Sequence, residues 1–316
     1  MVQATLLVVA QTIVLLVLSP LIVGLVRKVK ARLQLRRGAS IVQPYADLVK
    51  LFRKQPVVST TTSWIFTATP YIVFASTLAA GLLVPVFASK TPLNFAGNII
   101  ALVYLLALGT FFLMLAGLDA GSAFGGMGSS REAIVASLTE PAMILSIFAI
   151  ALTAGSTNLS TIVHKNALLE GIVTDPSPHL MAFAALVIVA IAETGRVPVD
   201  NPATHLELTM IHEAMILEYS GRYLALVEWA AGLKLLVFLT LIANVFAPWG
   251  IATTLEPTAL AIGLAIYLVK VSGMAVLIGV IESMFAKLRL FRVTDLLGVA
   301  FILALLGLVF FYVLRG

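Results

Sequence analysis

Eight stretches of this chain, near residues 4–26, 66–88, 97–119, 134–154, 180–195, 222–248, 258–281 and 294–314, are apolar for about the length of a bilayer crossing. A helix needs about 20 such residues to traverse the hydrocarbon core. Helices are the fitting element, because a backbone group in lipid finds no water and must bond within its own segment. The fifth run is the shortest and ends in a polar, proline-bearing segment. The reading is an all-α, polytopic membrane helical bundle of about eight transmembrane helices, with residues 1–316 as a single integral membrane domain.

Composition supports lipid as the solvent. Only 11% of the 316 residues are charged, where a soluble domain carries about 25%. There is no polar stretch long enough for a second, soluble domain. The net charge of +5 does not point to nucleic acid, because the basic residues gather beside a hydrophobic helix rather than on a soluble face. The absence of cysteine excludes disulfides, thiolate-bound clusters and thiol chemistry within this chain. The first apolar run exceeds a signal peptide's usual length and lacks its basic region and cleavage site, so it is expected to be retained as a helix.

Orientation follows from the bias of lysine and arginine. The segment after the first run holds Arg27, Lys28, Lys30, Arg32, Arg36, Arg37, Lys50, Arg53 and Lys54. Loops on the same side add Arg131, Arg196, Arg222, Lys287, Arg289 and Arg292, whereas the other side has Lys90, Lys165 and Arg315. Loops 27–63, 120–133, 196–221 and 283–293 are therefore expected in the cytoplasm and both termini outside. Within the basic loop, Ile41, Tyr45, Leu48, Val49 and Phe52 recur at roughly helical spacing with Asp47, Lys50 and Arg53 between them. This predicts an amphipathic cytoplasmic helix, either anchored in the interface plane or docked beneath the bundle.

The acids share that bias. Of fifteen carboxylates only Glu170, Asp175 and Glu256 fall on the outer side. Glu140 lies one turn after Ala136 in the fourth run, Glu193 ends the fifth, Glu228 and Lys234 are in the sixth, and Lys270 and Glu282 in the seventh. Ionisable groups at such depth must face a cavity or a partner. Two readings stand: pairs such as Glu228 with Lys234 or Lys270 that hold the bundle together, or a hydrated chamber whose neighbouring acids titrate as a coupled set.

The richest polar segment is residues 192–230. Pro198 and Pro202 make 194–204 a loop, and a helix is expected to resume over Ala203–Leu217. Glu207 and Glu218, eleven residues apart, would then share a face, as would His205 and His212, with Glu213 pointing elsewhere. His212–Glu213 is not a zinc-protease motif, since Ile216 stands where the second histidine is required. Four histidines and no cysteine give no metal site. GSAFGGMGSS lacks the lysine of a phosphate loop and is expected to be a tight turn between the third and fourth spans.

Three segments together resemble the subunit 1 family of respiratory complex I and its hydrogenase relatives: VRKVKARLQLRRG followed by VQPYADLVKLF, then GLDAGSAFGGMGSSREAIVASLTEP, then ETGRVPVDNP with LEYSG. Quinone-reducing members carry a glutamate before the first Arg-Lys-Val, where this chain has Val26, and tend to have acids where it reads Ala203, Thr204, His205. The spacing from Glu207 to Glu218 looks longer than in those enzymes. The second segment resembles the version in membrane-bound group 4 NiFe hydrogenases and formate hydrogenlyase. Ala39 departs from the family's usual proline after Gly38.

The resemblance implies a subunit of an oxidoreductase complex in a prokaryotic inner membrane, not catalytic by itself. The NiFe centre and iron–sulfur clusters would belong to partners: a hydrogenase large subunit, an iron–sulfur small subunit and a ferredoxin-like subunit, with antiporter-like membrane subunits alongside. Arg36, Arg37, Asp47, Lys50 and Asp119 are expected to dock the redox arm, and Arg131, Glu132, Arg196, Asp200, Glu207 and Glu213 to sense it. Glu140, Glu193, Glu218, Glu228, Lys234, Lys270 and Glu282 would relay protons or sodium ions. The alternative is the quinone-binding subunit of an NADH-quinone oxidoreductase. A self-sufficient carrier finds no support in internal repeats, and a purely structural anchor remains open.

Overall fold

The computed structural model describes residues 2–89, 97–167, 176–201 and 210–315. Among these, seven helices are long and apolar enough to cross a membrane: α1 Val2–Leu33, α3 Trp64–Leu83, α4 Ile99–Asp119, α5 Ala123–Ala154, α9 Gly221–Leu241 with its π-helical extension Ile242–Phe246, α10 Pro257–Met284 and α11 Leu290–Arg315. A shorter apolar helix, α7 Pro176–Glu193, corresponds to the fifth run. Three non-spanning helices complete the described chain: α2 Gln43–Phe52, α6 Leu159–Ala167 and α8 His212–Ile216. The protein is an all-α polytopic membrane bundle. α9 is its centre, with 72% of its span buried against 22% for α10. It packs on α3 and α1; α4 and α5 follow on from α3, α7 and α11 pack on α5, and α10 lies along α1.

Polar side chains inside the apolar region satisfy backbone that the helices leave open. Gln11 donates to the carbonyls of Gly81 and Val84 at the end of α3, and Asn244 to those of Pro85 and Val86. Both close groups that lipid would leave unbonded at a cost of several kcal/mol each.

Three expectations about the loops are corrected. The first span runs on to Leu33, so Arg27, Lys28, Lys30 and Arg32 lie on a helix. The glycine-rich segment is helical too: the turn is confined to residues 120–122, and the Ser122 hydroxyl accepts from the amide of Gly125 to start α5. Glycine costs about 1 kcal/mol inside a helix, and here it permits close approach. A Cβ on Gly125 would fall 2.3 Å from the Gly117 carbonyl oxygen of α4. Arg131 and Glu132 are thereby helical residues rather than loop residues. Of the helix expected over 203–217, His212–Ile216 is present, whereas 202–209, with His205 and Glu207, lie outside the described residues.

The amphipathic helix α2 is present and docked. Pro44 and Leu48 are buried against α1 and α9, the Tyr45 hydroxyl donates to the Val17 carbonyl, and Phe52 meets Trp229 edge-on at 6.1 Å. Its outward face keeps Val49 and Phe52 exposed, as a helix at a membrane surface would. The hairpin leading into α2 folds back onto α1 at Gly24, where a Cβ would sit 2.0 Å from the Ile41 carbonyl oxygen. Gly24→Ala should therefore lift the hairpin and cost about 1–3 kcal/mol. Limited trypsinolysis at Arg36 and Arg37 checks this, since release from α1 accelerates cleavage; an unchanged rate with an unchanged melting temperature contradicts it.

Candidate functional site

Four ion pairs gather at the basic end of the bundle. Glu282, near the end of α10, is held between Lys30 of α1 at 3.2 Å and Arg196 of the loop after α7 at 2.9 Å. Glu193, the last residue of α7, meets Lys234 of α9 at 2.7 Å. Asp200 meets Lys287 at 2.5 Å. In every pair the acid is the enclosed partner: the carboxylate side chains are 2–6% exposed and the cations 11–19%. The more exposed partner is in each case the long basic side chain, whose charged head keeps some contact with water.

Further bonds extend each pair. The Thr139 hydroxyl of α5 donates to Glu193 at 2.5 Å, and Lys234 also donates to Thr110 of α4 at 3.1 Å. Asp200 accepts from the amides of Asn201, Ile211 and His212, which fixes the start of α8 against the loop. Arg131 donates to the Met210 carbonyl at 2.8 Å, pinning the same segment to α5.

Three of the pairs, and Asp200 of the fourth, line one cavity of ≈ 590 Å³, whose ionisable residues are Arg27, Lys30, Arg36, Glu193, Arg196, Asp200, His212, Glu213, Glu228, Lys234 and Glu282. Two small cavities, of ≈ 10 and ≈ 30 Å³, lie between Glu132 and His212 and the residues around Asp200 and Lys234. Spaces of this size hold a water or two where polar partners are present. Burial holds the His212 imidazole down to about 4, helped by the Lys234 charge and opposed by Asp200 and Glu193. Burial, with Glu228 and Asp200 nearby, raises Glu213 to about 7 against the pull of Arg27. Near neutral pH the site therefore contains a neutral histidine and a carboxyl poised between its two forms.

The structure brings together Glu193, Lys234, Glu282, Arg196, Asp200, Glu213, Glu228 and Arg36, with Glu132 buried beside them. Asp47 lies at a smaller neighbouring cavity with Arg27 and Glu228. Glu140 is half-buried on α5, one residue past Thr139. Others are elsewhere. Lys234 pairs with Glu193, not Glu228, and the Lys270 amine donates to the Ala247 carbonyl at 2.5 Å, away from the cavity. Glu218 is exposed between α8 and α9, Arg37 and Lys50 are exposed, and Asp119 accepts from the amides of Ser63 and Phe66 at the start of α3. Sequence reasoning passed over Lys30, Lys287 and Thr139 as site residues. The run of basic charge flagged the first two, yet nothing local to them shows which acid they meet.

The three segments that stood out in the sequence thus converge: the end of α1 supplies Arg27 and Lys30, α5 supplies Glu132 and Thr139, and the loop after α7 supplies Arg196 and Asp200. The family described as NADH dehydrogenase matches residues 4–313. The chain belongs to this family, that of complex I subunit 1. Within it, the chain is 38% identical to Hydrogenase-4 component C of Escherichia coli K12 over 301 residues, covering 95% of this chain and 94% of the relative. It is 35% identical to Formate hydrogenlyase subunit 4 of the same organism, covering 89% and 90%. A subunit of the NADH-quinone oxidoreductase of Rhodospirillum rubrum is 32% identical over 207 residues, 63% of this chain and 60% of that one. A chain in the structure of the membrane-bound sulfane sulfur reductase, an archaeal respiratory membrane complex, shares the family fold with a TM-score of 0.82, 23% identity and 98% coverage of both chains.

Two outcomes follow from the site. Lys234→Met leaves the enclosed Glu193 carboxylate without its counter-charge and should cost about 3–5 kcal/mol, whereas Lys234→Met with Glu193→Leu should recover most of that loss. Thermal unfolding in detergent distinguishes them; equal melting temperatures for single and double variants contradict the pairing. For Glu213, the folded-state value lies above the unfolded one of 4.5. Its contribution to stability is therefore complete below about 4.5 and lost as pH rises through about 7. Infrared spectra should show protonated carboxyl absorption titrating near pH 7 that Glu213→Gln reduces. A band unchanged in that variant contradicts the assignment.

Proposed function

We propose that this chain is the membrane-anchor and energy-coupling subunit of an energy-converting NiFe hydrogenase or formate hydrogenlyase complex. It would dock a peripheral redox arm at its basic end and relay that arm's electron transfer to proton or sodium translocation. The observation that carries the reading is the cavity itself. Enclosed carboxylates, each held by a cation from a distant segment, meet the residues of all three family segments at one end of the bundle. Two nearly full-length relatives named as components of hydrogenase-4 and formate hydrogenlyase favour the hydrogenase branch.

In this reading the basic end faces the cytoplasm and both termini face outward, in a prokaryotic inner membrane. The NiFe centre lies in a large subunit and the iron–sulfur clusters in a small subunit and a ferredoxin-like subunit; a chain without cysteine supplies no thiolate for them. Antiporter-like subunits lie alongside in the membrane. Charge arriving in the docked arm acts first on the Asp200–Lys287 pair and on His212. The shift passes to Glu132 and to the Glu193–Lys234 pair, which share the small cavities beside them. Glu140, next to Thr139 and outside any ion pair among the described residues, hands the ion sideways. Coupled acids of this kind change protonation as a set.

A second reading has its own observation. The cavity opens among residues 27–38 and 194–213, and its ≈ 590 Å³ falls in the range of small-molecule sites. A quinone would fit by volume. Most of its wall is apolar, as in ligand pockets, while its eleven ionisable side chains favour water and ions beside Glu193, Asp200 and Glu282.

Glu140→Gln, and Glu193→Gln combined with Lys234→Met so that no enclosed charge is left alone, should leave complex assembly and hydrogen evolution in place and reduce hydrogen-linked ion translocation several-fold. Ion uptake by inverted membrane vesicles measures this, and unchanged gradients in both variants would sink the relay. Inhibitor-sensitive quinone reduction by the intact complex would move the assignment to the quinone branch.

A further inference from the structure

Among the described residues Leu35 is the one residue other than glycine with a left-handed backbone, at φ 58°. It ends α1. The Leu35 amide donates to the Arg32 carbonyl at 3.0 Å and the Arg36 amide to the Ala31 carbonyl at 2.8 Å, the paired bonds that close a helix through a residue in this conformation. Glycine is the usual occupant, because a Cβ there crowds the following carbonyl. Such closures commonly press an apolar residue at the next position back onto the helix, but that position here is Arg36. The apolar side chain stands one residue earlier and faces outward: Leu35 is 97% exposed, and Leu33 is exposed beside it.

The hairpin that carries it is firmly built. The Lys28 amine donates to the carbonyls of Arg37 at 2.9 Å and Gly38 at 3.4 Å, and Gly38 presses on α1, where a Cβ would fall 2.5 Å from that of Ala31. Backbone strain held in place by its surroundings clusters at functional positions. The tip also clears the lipid. The uncharged run of α1 over residues 5–26, about 33 Å long, fills a hydrocarbon core of about 30 Å. Leu33 stands about 10 Å further on, beyond a headgroup layer about 5–8 Å deep. The docking of α2 beside Val17 and Gly24 of α1 sets the membrane surface at the same level. Charge narrows what can meet the tip. Arg32, Arg36 and Arg37 are exposed around Leu35 and belong to none of the ion pairs among the described residues. The chain has no acid before Asp47, so a second copy would set like charge against like.

We propose that this tip is the seat of a peripheral protein subunit, with Leu35 entering an apolar recess whose rim carries carboxylates facing Arg32, Arg36 and Arg37. An apolar centre within a polar rim is the ordinary anatomy of a protein interface, and a knob fixed beforehand leaves little to be ordered on association. Gln34, Arg36 and Gly38 of the same hairpin line the ion cavity, so the seated subunit covers that part of its mouth. The inference rests on the reading above in one respect, that a soluble arm docks at the basic end; it does not depend on which redox centre the arm carries.

The test places a photoreactive leucine analogue at Leu35 in the intact complex in its native membrane and sequences the cross-linked peptide. The expected adduct lies on a membrane-extrinsic subunit, on apolar residues flanked by aspartate or glutamate. In parallel, Leu35→Asn should raise the fraction of that subunit released by a salt wash several-fold, whereas Leu35→Met should retain it. Asparagine suits the left-handed backbone better than leucine, so a role confined to the hairpin's own structure predicts unchanged or firmer retention. An adduct on lipid or on a membrane subunit, no adduct, or wild-type retention in Leu35→Asn would each overturn the proposal. The expected adduct in a complex that reduces quinone and evolves no hydrogen supports the seat and overturns the hydrogenase reading.

Discussion

Enclosed acids at one end of the bundle decide how its helices stand. Glu282 ties α10 to α1 and to the loop after α7, and Glu193 ties α7 to α9 and, through Thr139, to α5. Asp200 ties that loop to the segment after α10 and to the start of α8. A pair of charges about 4 Å apart gains roughly 4 kcal/mol at an effective dielectric near 20. Removing each ion from water costs several kcal/mol. The two nearly cancel, so the pairs add little net stability. Their effect is positional: with the acids enclosed, any arrangement that parts them from their cations is strongly disfavoured.

Packing in lipid makes that positional effect necessary. Between apolar helices in a bilayer there is no hydrophobic drive toward one register, since lipid tails are as apolar as leucine. α1, α10 and α11 present mostly aliphatic surface, and many rotations of such a helix would pack about equally well. Lys30 on Glu282 removes that freedom for α1 and α10 at once. At the opposite end Gln11 and Asn244 do comparable work on the connection after α3, by bonding carbonyls that would otherwise stay open.

The helices were legible because lipid imposes a length and a composition on each span, and eight runs meeting both became seven long helices and α7. Their ends were less legible. Arg27 to Arg32 look like loop by charge yet continue α1, because snorkelling lets a helix carry basic residues past the hydrocarbon. Gly117, Gly125 and Gly128 look like turn residues yet serve close helix approach, and only Gly121 among their neighbours stands in the turn. Pairing was invisible to local reading: Lys30 and Glu282 are 252 residues apart, Asp200 and Lys287 are 87. The expected partnership of Glu228 with Lys234 fails on geometry. Six residues is one and two-thirds turns, which sets the two side chains about 120° apart on α9, and Lys234 turns to Glu193 instead.

α9 is the element that the ion cavity has in common with a separate groove of ≈ 520 Å³, whose walls are α7 and α10. Lys234 faces the acids, and its neighbour Leu235 is the first floor residue of the groove. From there Phe238, Leu239, Ile242 and Phe246 carry the floor to the end of α9. A helix is stiff along its axis, so a displacement of α9 that follows loss of the Lys234–Glu193 contact would be felt along the groove. The π turn at Ile242–Phe246 is where that stiffness is interrupted, in the kind of element that recurs at functional positions in helices. It lies directly before Ala247, whose carbonyl holds Lys270. Two intramembrane lysines therefore meet this one buried helix: Lys234 at its middle, fixed by Glu193, and Lys270 of α10 at its end, on the Ala247 carbonyl.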